Sequence, residues 1–226
     1  MKIKALEKNS FVDYPGHLSC VVFTQGCNMN CFYCHNKPLI SNEEVKDGIG
    51  CEEVLDFLSK RQKFIDAVVI SGGEPTLQNG LEDFTRDVRK MGFKVKLDTN
   101  GTNPEVVENL ISKKLVDYVA MDIKAPLKRY EEFCKVKTDI NCIKKSIAIL
   151  MEGAVDYEFR TTLAPGLGVA DILDISEEIK GAKSYIIQRC RMPDGAWFNP
   201  APFTDAIKSI SKTVKNIGMR GIEISA

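Results

Sequence analysis

Apolar residues along the chain fall into two alternating patterns. The first is a set of short, nearly continuous runs: LSCVVFT (18–24), AVVIS (67–71), KVKLD (94–98), DYVAMD (117–122), VDYEFRTT (155–162) and YIIQR (185–189). Runs of this length, rich in β-branched residues, predict strands buried on both faces. Between them, apolar residues recur at helical spacing. Leu81, Phe84, Val88 and Met91 share one helical face, and Gly92 falls where the C-cap would be. Asn103 as N-cap and Pro104 as first helical residue open a second helix, followed by Val107, Leu110 and Ile111. Ile140, Ile143, Ile147 and Leu150 predict a third, and Ile172, Ile175 and Ile179 a fourth. Phe203, Ile207, Ile210, Val214 and Ile217, closed by Gly218, predict another, and residues 51–62 a further one with Leu55 and Leu58 inward. KIKALE (2–7) predicts an edge strand turned back by the DYPG at 13–16, and MRGIEIS (219–225) a last strand.

Strand and helix alternate about six times, which implies parallel βα units. A complete eight-unit barrel takes roughly 250 residues, and this chain has 226. The pattern therefore predicts an α/β fold, an open, partial (β/α)6 barrel, with a flat doubly wound sheet as the alternative. No linker, repeat or low-complexity stretch interrupts it, so residues 1–226 are expected to form one domain.

Composition narrows the function classes. Lys+Arg and Asp+Glu are both 31, so the formal charge is zero and no nucleic-acid partner is expected. No apolar run approaches the roughly 18 residues of a membrane span. MKIKALEKNSF lacks the apolar core and cleavage site of an export signal, so a cytoplasmic location is expected. In that reducing compartment eight cysteines point to metal or redox chemistry rather than disulfides.

The unusual residues follow the strands. TQGCNMNCFYCHN comes after the first, then SGGEP (71–75), DTNG (98–101), DIK (122–124) and TLAPGLG (162–168). Each could be a turn on its own, but five at the C-terminal ends of strands mark the face where α/β proteins place their sites. Cys27, Cys31 and Cys34 are spaced C-x3-C-x2-C, with His35 next. Three thiolates can hold three irons of a cubane and leave the fourth open, as three protein ligands do at catalytic zinc. A purely electron-carrying [4Fe–4S] centre would use four cysteines. The competing reading is a structural zinc site of Cys27, Cys31, Cys34 and His35; zinc motifs usually bring two separated pairs, which this loop lacks.

With Tyr33 as the aromatic, C-x3-C-x-aromatic-C resembles the signature of radical S-adenosylmethionine (SAM) enzymes. FVDYPGHLSCVVFTQGCNMNCFYCHN, SGGEP, LDTNG and MDIK, in this order and separation, resemble the activating enzymes of glycyl-radical enzymes over roughly residues 11–125. The DYPG opening and compact length are most similar to the anaerobic ribonucleoside-triphosphate reductase activating proteins, with pyruvate formate-lyase activating enzymes next.

The resemblance implies an oxidoreductase that reductively cleaves SAM at a [4Fe–4S] cluster and leaves a glycyl radical on a partner, anaerobic ribonucleotide reductase. It implies an electron donor such as flavodoxin or ferredoxin. Cys27, Cys31 and Cys34 carry over as cluster ligands. Gly72 and Gly73 carry over for the SAM amino group, with no Cβ to block approach, and Glu74 as an orienting residue. Lys124 carries over as a catalytic-site cation opposite the methionine carboxylate, and Asp98 for a ribose hydroxyl or a cation. Asp122, with Asp98 and Thr99, carries over for a monovalent cation, and Tyr33 and His35 as neighbours of the cluster able to touch adenine. The family's histidine after the fifth strand has no counterpart, since His17 and His35 are the only histidines. The bland alternatives are a capped β-to-α turn at SGGEP and a surface Asp98–Lys124 ion pair.

Cys20 reads as a small core residue, and Cys51 alone rules out a ferredoxin-like insert between the first two strands. Cys134, Cys142 and Cys190 read as buried or idle thiols. Trp197, in PDGAWFNP, is expected to cover the barrel bottom or to touch a partner. Two other classes remain open on sequence: a radical SAM enzyme acting on a small molecule or RNA, and a non-catalytic zinc or electron-transfer module.

Overall fold

The computed structural model describes residues 1–41, 48–199 and 204–222. The six predicted strands form β2 (Ser19–Thr24), β3 (Ala67–Gly72), β4 (Lys94–Thr99), β5 (Tyr118–Asp122), β6 (Asp156–Leu163) and β7 (Tyr185–Arg189), flanked by β1 (Ile3–Ser10) and β8 (Ile217–Arg220). They make one eight-stranded sheet in chain order. β1 runs antiparallel to β2, and every later pair is parallel. A doubly wound sheet must reverse strand order at a switch point, and this one never does. Right-handed crossovers that always step the same way keep the helices on one face and curl the sheet around the other. Among the described residues β1 and β8 do not pair with each other, so the barrel stays open along that side.

The helices are α1 (Cys51–Ser59), α2 (Leu81–Lys90), α3 (Pro104–Ser112), α4 (Tyr130–Cys134), α5 (Ile140–Met151), α6 (Val169–Glu178) and α7 (Thr204–Ile210). Gly92 takes the expected left-handed conformation after α2, at φ +91°. Asn103 does not cap α3 with its side chain; its Nδ2 donates to Thr76 Oγ1 at 2.9 Å instead. The helix expected over 203–218 ends at Ile210. Beyond it, Lys215 N donates to Ala182 O and Tyr185 N to Asn216 O, both at 2.9 Å, drawing the chain alongside β7. Strand pairing thus wins over the helical spacing of Val214 and Ile217, and the last strand starts at Ile217 rather than Met219. Phe203 and residues 223–225 of that expectation lie outside the described residues.

Two apolar clusters divide the faces of the sheet. Outside, Val22, Ile70, Leu97, Met121 and Phe159 pack with Val54 and Leu58 of α1, Phe84 and Val88 of α2, and Val107 and Leu110 of α3. Inside, Tyr14, Val21, Ala67 and Val69 form a smaller cluster with Phe23 and Tyr118. From β4 onward the inward positions turn polar. Register aligns Lys96 with Tyr118, Asp122 with Arg160, and Thr162 with Gln188. The interior is therefore apolar on the β2–β3 side and charged on the rest.

Ile70 is completely buried between sheet and helices. Ile70→Ala should cost about 2–5 kcal/mol, read as a lower urea midpoint at unchanged slope.

Candidate active site

A cavity of about 890 Å³ opens at the C-terminal ends of the strands. Every residue singled out from the motifs lines it. The loop after β2 contributes Cys27, Cys31, Tyr33, Cys34 and His35; the turn after β3 Gly72, Gly73 and Glu74; β4 Asp98; and the end of β5 Asp122 and Lys124. Val12 and Asp13, beyond β1, line one side and Arg220 and Gly221, at the end of β8, another. The cavity thus runs from the β1–β2 connection to the end of β8.

The glycines have a more immediate task than facing a ligand. Gly72 sits at φ +120°, and a Cβ there would lie 2.3 Å from Thr24 N; a Cβ on Gly73 would lie 2.1 Å from Gly26 O. Both distances are far inside contact, so only glycine lets the turn lie against the start of the cysteine loop. Gly73 N donates to Thr24 O at 2.9 Å and Glu74 N to Gly26 O at 2.8 Å, tying the two segments together.

Glu74 is buried, and both its oxygens are used. Oε1 accepts from Thr76 N (3.1 Å), Thr76 Oγ1 (2.6 Å) and Thr99 Oγ1 (2.7 Å), and Oε2 from Asn100 N (2.7 Å). Burial pushes its pKa up, against the pull of these donors. Asn100 carries the link onward, its Nδ2 donating to Asn28 Oδ1 at 2.9 Å. One carboxylate therefore connects β3, β4 and the cysteine loop.

The charged interior forms a chain. Lys96 Nζ lies 2.5 Å from Asp98 Oδ1, Arg160 Nη1 3.4 Å from the same oxygen, Arg160 Nε 2.8 Å from Asp122 Oδ1, and Lys124 Nζ 2.9 Å from Asp122 Oδ2. Burial alone would raise the pKa of Asp98 and Asp122, but Arg160 leads the opposing attractions and holds both below the usual carboxylate range. Burial would likewise lower Lys124, yet Asp122 outweighs it and keeps the ammonium charged. Lys124 pairs with Asp122 inside the barrel, which removes the bland alternative of a surface Asp98–Lys124 pair. The two carboxylates expected to flank a monovalent cation also both face the Arg160 guanidinium.

Arg160 and Lys96 were not singled out from the sequence. The available signal was a charged residue at an alternate position of an otherwise apolar strand, in KVKLD and in DYEFRTT. Trp197 lines the cavity rather than the barrel bottom; it is 53% exposed, with Arg189 and Arg191 over its ring at 5.6 and 5.8 Å.

All eight cysteines are free. Cys20 is buried in β2 and Cys190 after β7. Cys134 is buried as expected and lies beside the cysteine loop, Asn30 N donating to its carbonyl at 2.9 Å; its neighbouring thiol holds Cys31 below the usual thiol range. Burial raises Cys27 to about 11 and also raises Cys34. Among the described residues no three His, Cys, Asp or Glu side chains converge as they would on a single ion. A cubane takes each thiolate at a different iron, so three thiols spread along one cavity suit a cluster better than zinc. Tyr33 adds a buried hydroxyl with no protein partner at the cavity wall. The donor set and this unpaired group fit a [4Fe–4S] cluster with SAM beside it.

Removing Arg160 should expose how much the chain of charges matters. Arg160→Met leaves two nearly buried carboxylates short of a cation and should cost about 3–5 kcal/mol at neutral pH. A carboxylate whose pKa is depressed by folding stabilises above its unfolded value, near 3.9, and loses that contribution as pH falls through the depressed value. The deficit against wild type should therefore be full above about pH 5 and shrink below about pH 4, as read from urea unfolding across that range.

Comparison with known proteins agrees with this geometry. The model of the radical SAM superfamily matches residues 21–179. A Methanocaldococcus jannaschii protein assigned as a glycyl-radical enzyme activating enzyme is 41% identical over 220 residues, 91% of this chain and 88% of that protein. The pyruvate formate-lyase 1-activating enzyme of Escherichia coli is 32% identical over 131 residues, 54% of this chain and 52% of that enzyme. Among solved structures, Streptococcus suis SuiB bound to S-adenosylmethionine superposes with a TM-score of 0.68 at 13% identity, over 91% of this chain and 53% of SuiB, a likeness of fold. A three-cysteine loop at the mouth of an open barrel, and a match of this length, place the chain in the radical SAM superfamily, within the family of glycyl-radical enzyme activating enzymes.

Proposed function

We propose that this protein installs a glycyl radical on anaerobic ribonucleoside-triphosphate reductase, working as one radical SAM domain in a reducing cytoplasm with flavodoxin or ferredoxin as electron donor. The observation that carries the reading is three thiols, and no fourth on that loop, lining a cavity that runs from the β1–β2 connection to the end of β8. The likeness to the M. jannaschii protein supports it over 91% of the chain. The DYPG segment favours the reductase over pyruvate formate-lyase as partner.

When bound, the [4Fe–4S] cluster and SAM supply the one-electron chemistry that removes a hydrogen atom from a substrate carbon. Cys27, Cys31 and Cys34 would hold the cluster through three irons and leave the fourth to the methionine end of SAM. Lys124, kept protonated by Asp122, offers its charge to the methionine carboxylate. Asp98 and Arg160 fix the charged wall beneath. Glu74 and the glycines hold the three loops in register, so the site does not reorganise when its ligands enter. The gap between β1 and β8 admits an extended loop of the partner, and a glycine at its tip has no Cβ to hold its Cα away from the reacting centre.

Lys124→Ala should weaken SAM binding roughly ten- to a hundredfold, because a charged hydrogen bond contributes about 1.5–3 kcal/mol. Cluster content should be unchanged. Equal SAM affinity in the variant would remove Lys124 from the site.

Reduced protein, SAM and anaerobic ribonucleotide reductase mixed without oxygen should give a doublet electron-spin signal on the reductase. Its splitting should collapse when the glycine Cα is deuterated. SAM cleavage without a glycyl signal on the reductase or on pyruvate formate-lyase would overturn the activase reading in favour of a small-molecule substrate.

A further inference from the structure

The cavity is the inner side of the cysteine loop, and SAM and the substrate loop would occupy it. An electron for the cluster must then arrive from the other side. We infer that the outer face of this loop, built by Phe32 with Lys37, Lys135 and Lys137, is the docking surface for an acidic one-electron carrier protein. The inference rests on the cluster reading above.

The patch is assembled from two elements. Asn30 N donates to Cys134 O at 2.9 Å, which locks the cysteine loop onto the end of α4. The Phe32 ring, one residue from Cys31, packs against Tyr33 at 5.2 Å and Phe133 of α4 at 5.8 Å. Its remaining side is partly exposed, and Lys135 Nζ stands 5.4 Å from its centroid. Lys37 Nζ reaches Asn30 Oδ1 at 2.5 Å. A small cleft beside the loop is lined by Asn28, Met29 and Lys137.

The lysines of this face are not ion-paired. Among the described residues none of Lys37, Lys135 and Lys137 lies within ion-pair distance of a carboxylate, although many lysines elsewhere on the chain do. Glu132 pairs with Arg129 at 2.6 Å and feels Lys135 only from farther away. Asp139, which lines the cleft with Lys137, accepts from Asn141 N at 2.9 Å. The whole chain is neutral, so this is a local field rather than a general one. Lys135 also sits at φ +56°, a left-handed conformation that costs a non-glycine residue about 1–2 kcal/mol. Glycine is the usual occupant of such a helix end; a lysine there gains a side chain to lay across Phe32.

A basic rim around a partly exposed aromatic suits brief docking of an acidic partner, since such charges act mainly on the rate of association. The electron would cross at Phe32, covalently adjacent to Cys31. The step is balanced: the carrier loses one electron, the cluster gains one, and no bond or proton moves.

The test uses an acidic flavodoxin as probe and follows bleaching of the sulfur-to-iron absorption near 400 nm, not turnover. Lys135→Glu/Lys137→Glu should slow reduction by flavodoxin roughly tenfold or more at low salt and abolish its slowing by added salt. Photoreduction with deazaflavin, which needs no docking, should proceed at the wild-type rate. A control variant, Lys60→Glu, should match wild type in both. Reduction by flavodoxin at the wild-type rate in the double variant would overturn the docking surface and leave the cluster standing. Absence of the absorption band in reconstituted wild type would overturn both together. As a second measurement, flavodoxin binding by calorimetry should weaken in the double variant; unchanged binding would count against the surface.

Discussion

The hydrogen bonds of one buried carboxylate organise this site. Glu74 accepts from the turn after β3 and from Thr99 and Asn100 at the end of β4, while its own N–H is bonded to Gly26 at the start of the cysteine loop. Three loops from three strands would otherwise meet at the sheet edge with free backbone groups. A buried acceptor with several donors is costly to leave unsatisfied, so each donor fixes the position of the others. The glycines before it follow from the same constraint. Close approach at Gly72 and Gly73 leaves no room for a side chain, and the backbone bonds to Thr24 and Gly26 form only because that room is not needed.

Behind this junction lies the charged side of the barrel. The chain Lys96, Asp98, Arg160, Asp122, Lys124 alternates sign along its length. Burying so many charges is unfavourable unless each has partners on both sides, and in this arrangement Asp98, Arg160 and Asp122 do. The consequence at the cavity wall is an ammonium, Lys124, that stays protonated although largely withdrawn from water. The apolar plug of Tyr14, Val21, Ala67 and Val69 fills the β2–β3 side of the interior. The proposed docking surface, with Phe32 and Lys135, lies on the face of the cysteine loop turned away from this cavity.

Much of this was legible in the sequence, for physical reasons. Strands buried on both faces read as continuous apolar runs, so six were found near their true bounds. Site residues at strand ends announced themselves because Cys, Gly-Gly-Glu and Asp-Thr-Asn-Gly interrupt that pattern. What failed was whatever depends on contacts between distant segments. Val214 and Ile217 keep helical spacing, yet one lies in a turn and the other opens β8 beside β7. Arg160 gains its meaning only from the register that sets it opposite Asp122. The packing task of the two glycines was also hidden, because the backbone they lie against, at Thr24 and Gly26, is about fifty residues away. Cys134 was set aside since nothing in its spacing shows that α4 returns to Cys31.

The central claim is that three cysteines of one loop hold a cluster and leave one iron open. Mössbauer spectra of iron-57-labelled protein, reconstituted anaerobically and recorded with and without SAM, test it most directly. The account predicts about four irons per chain, one of which changes its spectrum when SAM is added, in wild type and in Cys134→Ser alike. Four irons that ignore SAM, or a cluster that is lost with Cys134, would contradict it.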